Sequence, residues 1–207
     1  MEMTAAHRAA LQDILKWRRD VRHFRPDPIS DAALQRLRNA MDMAPSVGNA
    51  RPWRVLQVTT PALRDAVIAN FEAANRTASA IYTDEKRQDY NELKLAGLTD
   101  APVHLAVFTE QEPQEGHGLG RQSMPEMLTY STVAAVHTLW LAARAENIGV
   151  GWVSILDPEA VTRLLKVPPT WTLTAYLCLG LPAFDDDTPL LDRKDWQANT
   201  PTQWREI

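Results

Sequence analysis

The stretch from 125 to 147 constrains the fold of this chain more than any other. Val133, Ala134, Ala135, Val136, Leu139, Trp140, Leu141, Ala142 and Ala143 leave it almost no polar face. A helix that is apolar all round must be covered on every side. One domain of 207 residues could bury such a helix alone. A second copy of the chain would do so more easily, so a homodimer is expected. "SMPE" at 123–126 reads as a capping box that opens the helix, and Gly149 as its stop.

The remaining punctuation is that of a mixed domain. Helices are expected over 4–18, from the cap Ser30 through Leu34, Leu37 and Met41, and after Thr60-Pro61 and Asp157-Pro158. Strand signals are "WRVLQVTT" (53–60), "VHLAVFTE" (103–110), "VGWVSIL" (150–156) and "LTAYLCLG" (173–180). Helical segments separate these runs, which indicates α/β or α+β architecture. No repeat or linker divides residues 1–207, and a single domain is expected. The Pro- and Asp-rich tail, about 181–207, reads as an extended arm.

Charge and cysteine usage narrow the function. The net charge of −4 makes any basic cluster a local feature, so a nucleic-acid partner is not expected. The N-terminus lacks an apolar leader, and the longest apolar run is interrupted by His137 and too short to cross a bilayer. No membrane association is expected. Cys178 is the only cysteine, which excludes an intrachain disulfide, fits a reducing cytoplasm and reads as core. The five histidines lack paired metal spacing, and "DDD" at 185–187 lacks the alternation of a calcium loop; these acids read as solvated, and no metal is expected. "GHGLGR" (116–121) departs from the dinucleotide fingerprint and reads as a loop.

The densest chemistry lies in "WRRDVRHFR", residues 17–25, with four arginines around one carboxylate, Asp20. Were residues 18–22 helical, Arg18 and Arg22 would share a face and Asp20 would point away. Val21, with Pro26 and Pro28 beyond, favours an extended segment, in which Arg18, Asp20 and Arg22 project to one side. A surface ion pair at a helix end explains the cluster blandly. An anion clamp explains it more sharply, because the planar guanidinium suits phosphate. "APSVGNARPW" (44–53) adds a hydroxyl, a glycine, an amide and an arginine in a loop between helix and strand, where ligands are commonly held.

"RRDVRHF", "APSVGNARPWR", "YNELKLAGL", "GLGRQSMPEM" and "GWVSIL", in this order, resemble the nitroreductase-like flavin fold. The similarity is closest to its 5,6-dimethylbenzimidazole synthase branch, and runs from about Trp17 to Trp196. The resemblance implies an α+β fold, with a central, mainly antiparallel sheet surrounded by helices. It also implies an intertwined homodimer that binds flavin mononucleotide (FMN) at its interface. Arg18 or Arg19 would meet the phosphate, with Val21 alongside the flavin and Arg22 near its pyrimidine edge. Ser46 and Asn49 would come from the second subunit. Asn91 and Lys94 match a flavin-contacting stretch, although an exposed amphipathic helix explains them equally. Arg193 would add a phosphate contact, or be a surface charge.

Ordinary nitroreductases usually carry a small hydroxyl residue where this chain has Asp20. In the synthase branch the matching aspartate, with the serine matching Ser154, is needed for the chemistry. The implied reaction consumes reduced FMN and molecular oxygen and releases 5,6-dimethylbenzimidazole and erythrose 4-phosphate, for the lower ligand of vitamin B12. A separate flavin reductase would supply the reduced flavin. Asp20 would transfer protons, and Ser154 would hydrogen-bond near the ring beside Trp152; a satisfied strand hydroxyl is the plainer account of Ser154. The segment from about 71 to 97 would be a lid, or else an ordinary helical hairpin. The alternatives are a conventional NAD(P)H nitroreductase, against which Asp20 argues, and a non-catalytic flavin carrier.

Overall fold

The computed structural model describes residues 1–93 and 97–207. Its framework is a four-stranded antiparallel sheet: β1 (Trp53–Gln57), β2 (Val103–Glu110), β3 (Gly149–Val153) and β4 (Trp171–Gly180), in the order β1-β2-β4-β3. The α+β expectation therefore holds. β2 and β4 occupy the centre and read as continuous apolar runs because both of their faces are covered.

Helices α1 (Ala5–Trp17), α2 (Asp31–Met41), α3 (Pro61–Ser79), α4 (Asp84–Glu92), α5 (Met127–Ala145), α6 (Pro158–Leu165) and α7 (Leu190–Arg193) surround the sheet. One face packs against α2 and α5 through Leu37, Met41, Val136, Leu139 and Leu177. The other packs against α3 and α6 through Val67, Phe108, Tyr176 and Cys178. Cys178 is fully buried, as expected, and burial pushes its thiol up to about 12, which leaves it inert.

The expected caps form in part. Ser30 accepts the N–H of Ala33 at 3.2 Å, and Asp157 that of Ala160 at 3.0 Å. The capping box at 123–126 does not form. Backbone carbonyls of Met124 and Pro125 instead take the N–H groups of Met127 and Leu128, and Glu126 makes no side-chain cap. Gly149 is not the stop of α5. Asn147 makes the turn at a φ of 58°, a conformation Asn tolerates, and Gly149 opens β3.

The long helix α5 buries Leu128, Ala135, Val136, Leu139, Trp140 and Ala143. Its other side, with Tyr130, Val133 and His137, is exposed in the single chain. Helix α1 buries none of its residues, and Leu11 and Leu15 lie open on it.

Candidate active site

Residues 18–24 leave α1 in extended conformation and run along the open edge of β3. Val21 donates its N–H to the carbonyl of Val150 at 3.0 Å, and a parallel bridge joins Asp20 to Val150. The close approach requires glycines on β3. A Cβ at Gly151 would lie 2.3 Å from the Val21 carbonyl oxygen, and one at Gly149 2.8 Å from Val21 Cγ2. Phe24 anchors the far end in the core, in a slot bounded by Gly97 and Gly180. In sequence Gly149 reads as a helix stop and Gly151 as part of a strand; their role here belongs to the segment from the other end of the chain.

The carboxylate of Asp20 has two partners. Oδ1 accepts the backbone N–H of Trp152 at 2.8 Å, and Oδ2 accepts Arg22 Nε at 3.1 Å. Arg18 lies over the ring of Trp140, with the guanidinium carbon 4.9 Å from the ring centroid. Residues 17–23, Arg18, Asp20 and Arg22 among them, line one cavity of about 430 Å³. Trp140, Arg144 and Ile148 form its floor, and Phe184, Asp186 and Arg193 belong to the arm that closes it.

Arg19 serves a different purpose. Its guanidinium donates to the carbonyls of Lys16, Arg18 and Asp187, which ties the end of α1 to the arm. Burial, and then the charge of Arg18, pull it below its ordinary pKa, with Asp186 and Asp187 acting in the opposite direction. The acidic triplet is not simply solvated, contrary to expectation. Asp185 pairs with Arg144 and Asp187 with Lys16 because the arm folds back over a basic wall, and Asp186 pairs with Arg193 within the arm itself.

Other sequence-derived candidates lie elsewhere. Val47, beside Ser46, donates its N–H to Ser131 Oγ near the start of α5. Trp140 stands nine residues further along that helix, roughly 13 Å at its rise per residue. Ser46 and Asn49 therefore do not reach the cavity of their own chain. The loop 46–51 packs on loop 116–120, with Gly48, Asn49, Gly116 and His117 all at positive φ. Ser154 is exposed just beyond β3, and makes no hydrogen bond among the described residues. Asn91 is exposed in the last turn of α4, and Lys94 lies outside the described residues. Trp140, Arg144, Phe184 and Asp186 were not foreseen as site residues; no linear motif marks them.

The cavity suits an anionic ligand with an aromatic part. Its volume falls within the roughly 300–1,000 Å³ of small-molecule sites. Arg19 Nε and Arg22 Nη1 are buried with no hydrogen-bond partner among the described residues. Such orphaned donors call for an acceptor, since each costs about 1–3 kcal/mol unmade. FMN, with a phosphate at one end and acceptor oxygens on its ring, meets that requirement.

Residues 15–181 match the model of the nitroreductase family, and the chain belongs to that family. Within it, the chain is 60% identical over 204 residues to a 5,6-dimethylbenzimidazole synthase of Rhodobacter capsulatus, covering 99% of both chains. It is 49% identical to a protein of the same name from Rhodospirillum rubrum, covering 94% of this chain and 92% of that one. Among solved structures, an oxidized iodotyrosine deiodinase bound to FMN and 3-iodo-L-tyrosine shares the fold, with a TM-score of 0.72, 23% identity and coverage of 95% and 97%. A BluB-like flavoprotein of Clostridium difficile shares it with a TM-score of 0.65, 17% identity and coverage of 95% and 94%.

Proposed function

We propose that this chain is a 5,6-dimethylbenzimidazole synthase, which consumes reduced FMN and molecular oxygen and releases 5,6-dimethylbenzimidazole and erythrose 4-phosphate. The observation that carries this reading is Asp20, a carboxylate held at the wall of a basic cavity. A plain flavin-binding site would gain nothing from a negative charge beside a phosphate. The end-to-end match to synthases supports it.

The flavin supplies the oxygen chemistry and the carbon skeleton of the product; the protein's residues bind, orient and move protons. Arg18 takes the phosphate, while the terminal nitrogens of Arg19 are engaged on backbone carbonyls and its unpartnered Nε is left to donate to the ligand. Arg193, drawn from Asp186, is the second phosphate contact. Arg22 Nη1 donates to the pyrimidine edge, where a cation favours the anionic reduced ring. Val21 and Trp152 present backbone and side-chain surface to the flavin. Asp20, oriented by Trp152 N–H and Arg22 Nε, transfers protons beside the ribityl chain. Ser154 donates a hydrogen bond near the ring from its exposed position after β3. Asn91 and Lys94 approach from the lid, about residues 71–97.

The functional unit is a homodimer. The open faces of α1 and α5, with Leu11, Leu15, Tyr130 and Val133, are the apolar surface a second copy covers. Ser46 and Asn49 then reach the flavin of the other subunit, which accounts for their distance from the cavity of their own chain. The protein works in the cytoplasm, supplied with reduced FMN by a separate flavin reductase.

The direct test supplies anaerobically reduced FMN to the purified protein, admits oxygen and assays for 5,6-dimethylbenzimidazole by mass. Recovery of intact FMN alone, with no benzimidazole, would remove the synthase reading and leave a carrier or a conventional reductase.

A further inference from the structure

The cavity is closed on one side by the arm, which supplies lining residues from Pro182 to Asn199. Within that stretch Trp196 does not line the cavity; its neighbours Arg193 and Gln197 do. Its N–H donates to the Leu191 carbonyl at 2.9 Å, which fixes it to the turn of α7. Its side chain meets the residues around α4. The ring of Tyr82 meets it edge-on at 5.5 Å, and that of Tyr90 is tilted at 6.3 Å. Lys86 Nζ sits over the indole at 4.0 Å from the centroid.

Helix α4 is otherwise tied down by Arg87, which donates to the carbonyls of Ser79 at 3.1 Å and Tyr82 at 2.8 Å. It is strongly polar, and Tyr90 is its only buried residue. Tyr90 stacks on Tyr82 at 5.0 Å and donates its hydroxyl hydrogen to Asn75 Oδ1 at 2.7 Å, which connects the group to α3. An aromatic cluster with a cation over its indole is a large part of what so polar a helix has to keep it docked. We infer that Trp196 is a clasp that joins the arm to α4, so that loosening either one loosens the other and the arm's hold over the cavity depends on α4.

The clasp itself follows from these contacts alone. Its consequence for chemistry rests on the synthase reading. Reduced FMN in an open site reacts wastefully: two electrons and two protons pass from it to molecular oxygen, giving oxidised FMN and hydrogen peroxide. An arm held against the cavity by its clasp to α4 withholds the site from solvent while the productive reaction proceeds. Trp196 is thus a positioning residue, acting on the reaction through the walls of the site.

Hydrogen–deuterium exchange on the full-length protein without ligand tests the clasp. Trp196→Ala should speed exchange roughly tenfold or more in residues 82–92 as well as in 186–199. Tyr90→Leu should do the same to both segments, because coupling between two sites is reciprocal. Trp196→Phe should restore most of the protection, and exchange in β2 and β4 should not change in any variant. Loosening of the arm alone, or a rise in β2 and β4 as well, would overturn the inference. A second measurement compares hydrogen peroxide with benzimidazole after oxygen meets the reduced complex. Trp196→Ala should raise that ratio severalfold, and an unchanged ratio would refute the role in enclosure. If the unaltered protein forms no benzimidazole, the synthase reading fails, while the exchange data still judge the clasp.

Discussion

The carboxylate of Asp20 accepts the backbone N–H of Trp152 at 2.8 Å, joining the arginine-rich segment to β3 across 132 positions of sequence. The same carboxylate holds Arg22 Nε. One side chain therefore both seats the extended segment and fixes the direction of a cation. Asp20→Asn keeps an oxygen for Trp152 but loses the charge and the proton-accepting capacity. The expected outcome is stability within about 1 kcal/mol of the parent, as for other partly exposed ion pairs. Reduced FMN should still bind, while benzimidazole formation falls by about 100-fold or more. Denaturant unfolding, flavin titration and product mass check the three parts. Retained product formation would take Asp20 out of the mechanism.

Gly151→Ala tests the seat of that segment. The new methyl would lie 2.3 Å from the Val21 carbonyl oxygen, and that backbone cannot withdraw without breaking its bond to Val150. Overpacking of this kind costs about 1–3 kcal/mol. The variant should unfold at lower denaturant and bind flavin more weakly, because Arg18, Asp20 and Arg22 shift together. Unchanged flavin affinity would mean that the segment is not part of the binding site.

Arg22→Lys separates charge from geometry. The Arg22 side chain is 13% exposed, and its Nη1 has no partner among the described residues. Lysine keeps the charge but cannot hold Asp20 through one nitrogen while directing another at a ligand. A hydrogen bond involving a charged group is worth about 1.5–3 kcal/mol. FMN affinity should therefore fall roughly ten- to a hundredfold, read by flavin fluorescence titration. Full affinity in the lysine variant would show that only the charge matters.

His104 supplies a pH dependence unrelated to the cavity. It is fully buried on β2, within 3.0 Å of the Tyr176 hydroxyl, and burial, followed by the charge of Arg64, lowers its pKa to about 4. An unfolded histidine titrates near 6.5, so between pH 6.5 and 4 the unfolded chain binds more protons than the folded one. Stability should therefore fall as pH drops through that window, by up to about 3 kcal/mol, and this contribution should level off below pH 4. Urea unfolding across pH 4–7 should show the slope, and His104→Phe should reduce it. An equal slope in the variant would place the dependence elsewhere.

Local chemistry decided much of this protein before folding. The alternation of Arg18, Asp20 and Arg22 forces all three to one side whenever the segment is extended, and the prolines beyond favour that state. Apolar runs specify β2 and β4 because central strands are buried on both faces. Ser30 and Asp157 cap their helices using groups only three residues away. Each of these is a short-range property, so the chain's order contains it.

The tertiary structure decided what depends on contacts between distant segments. Only the docking of residues 18–24 against β3 explains why positions 149 and 151 must lack a side chain. Only the return of the arm brings Asp185 to Arg144, Asp187 to Lys16, and Trp196 to Tyr82, Tyr90 and Lys86. Asn147, rather than Gly149, ends α5 because the chain must turn before β3 can pair. Spacing in sequence cannot express such matches, since they depend on which surfaces meet once the core has closed.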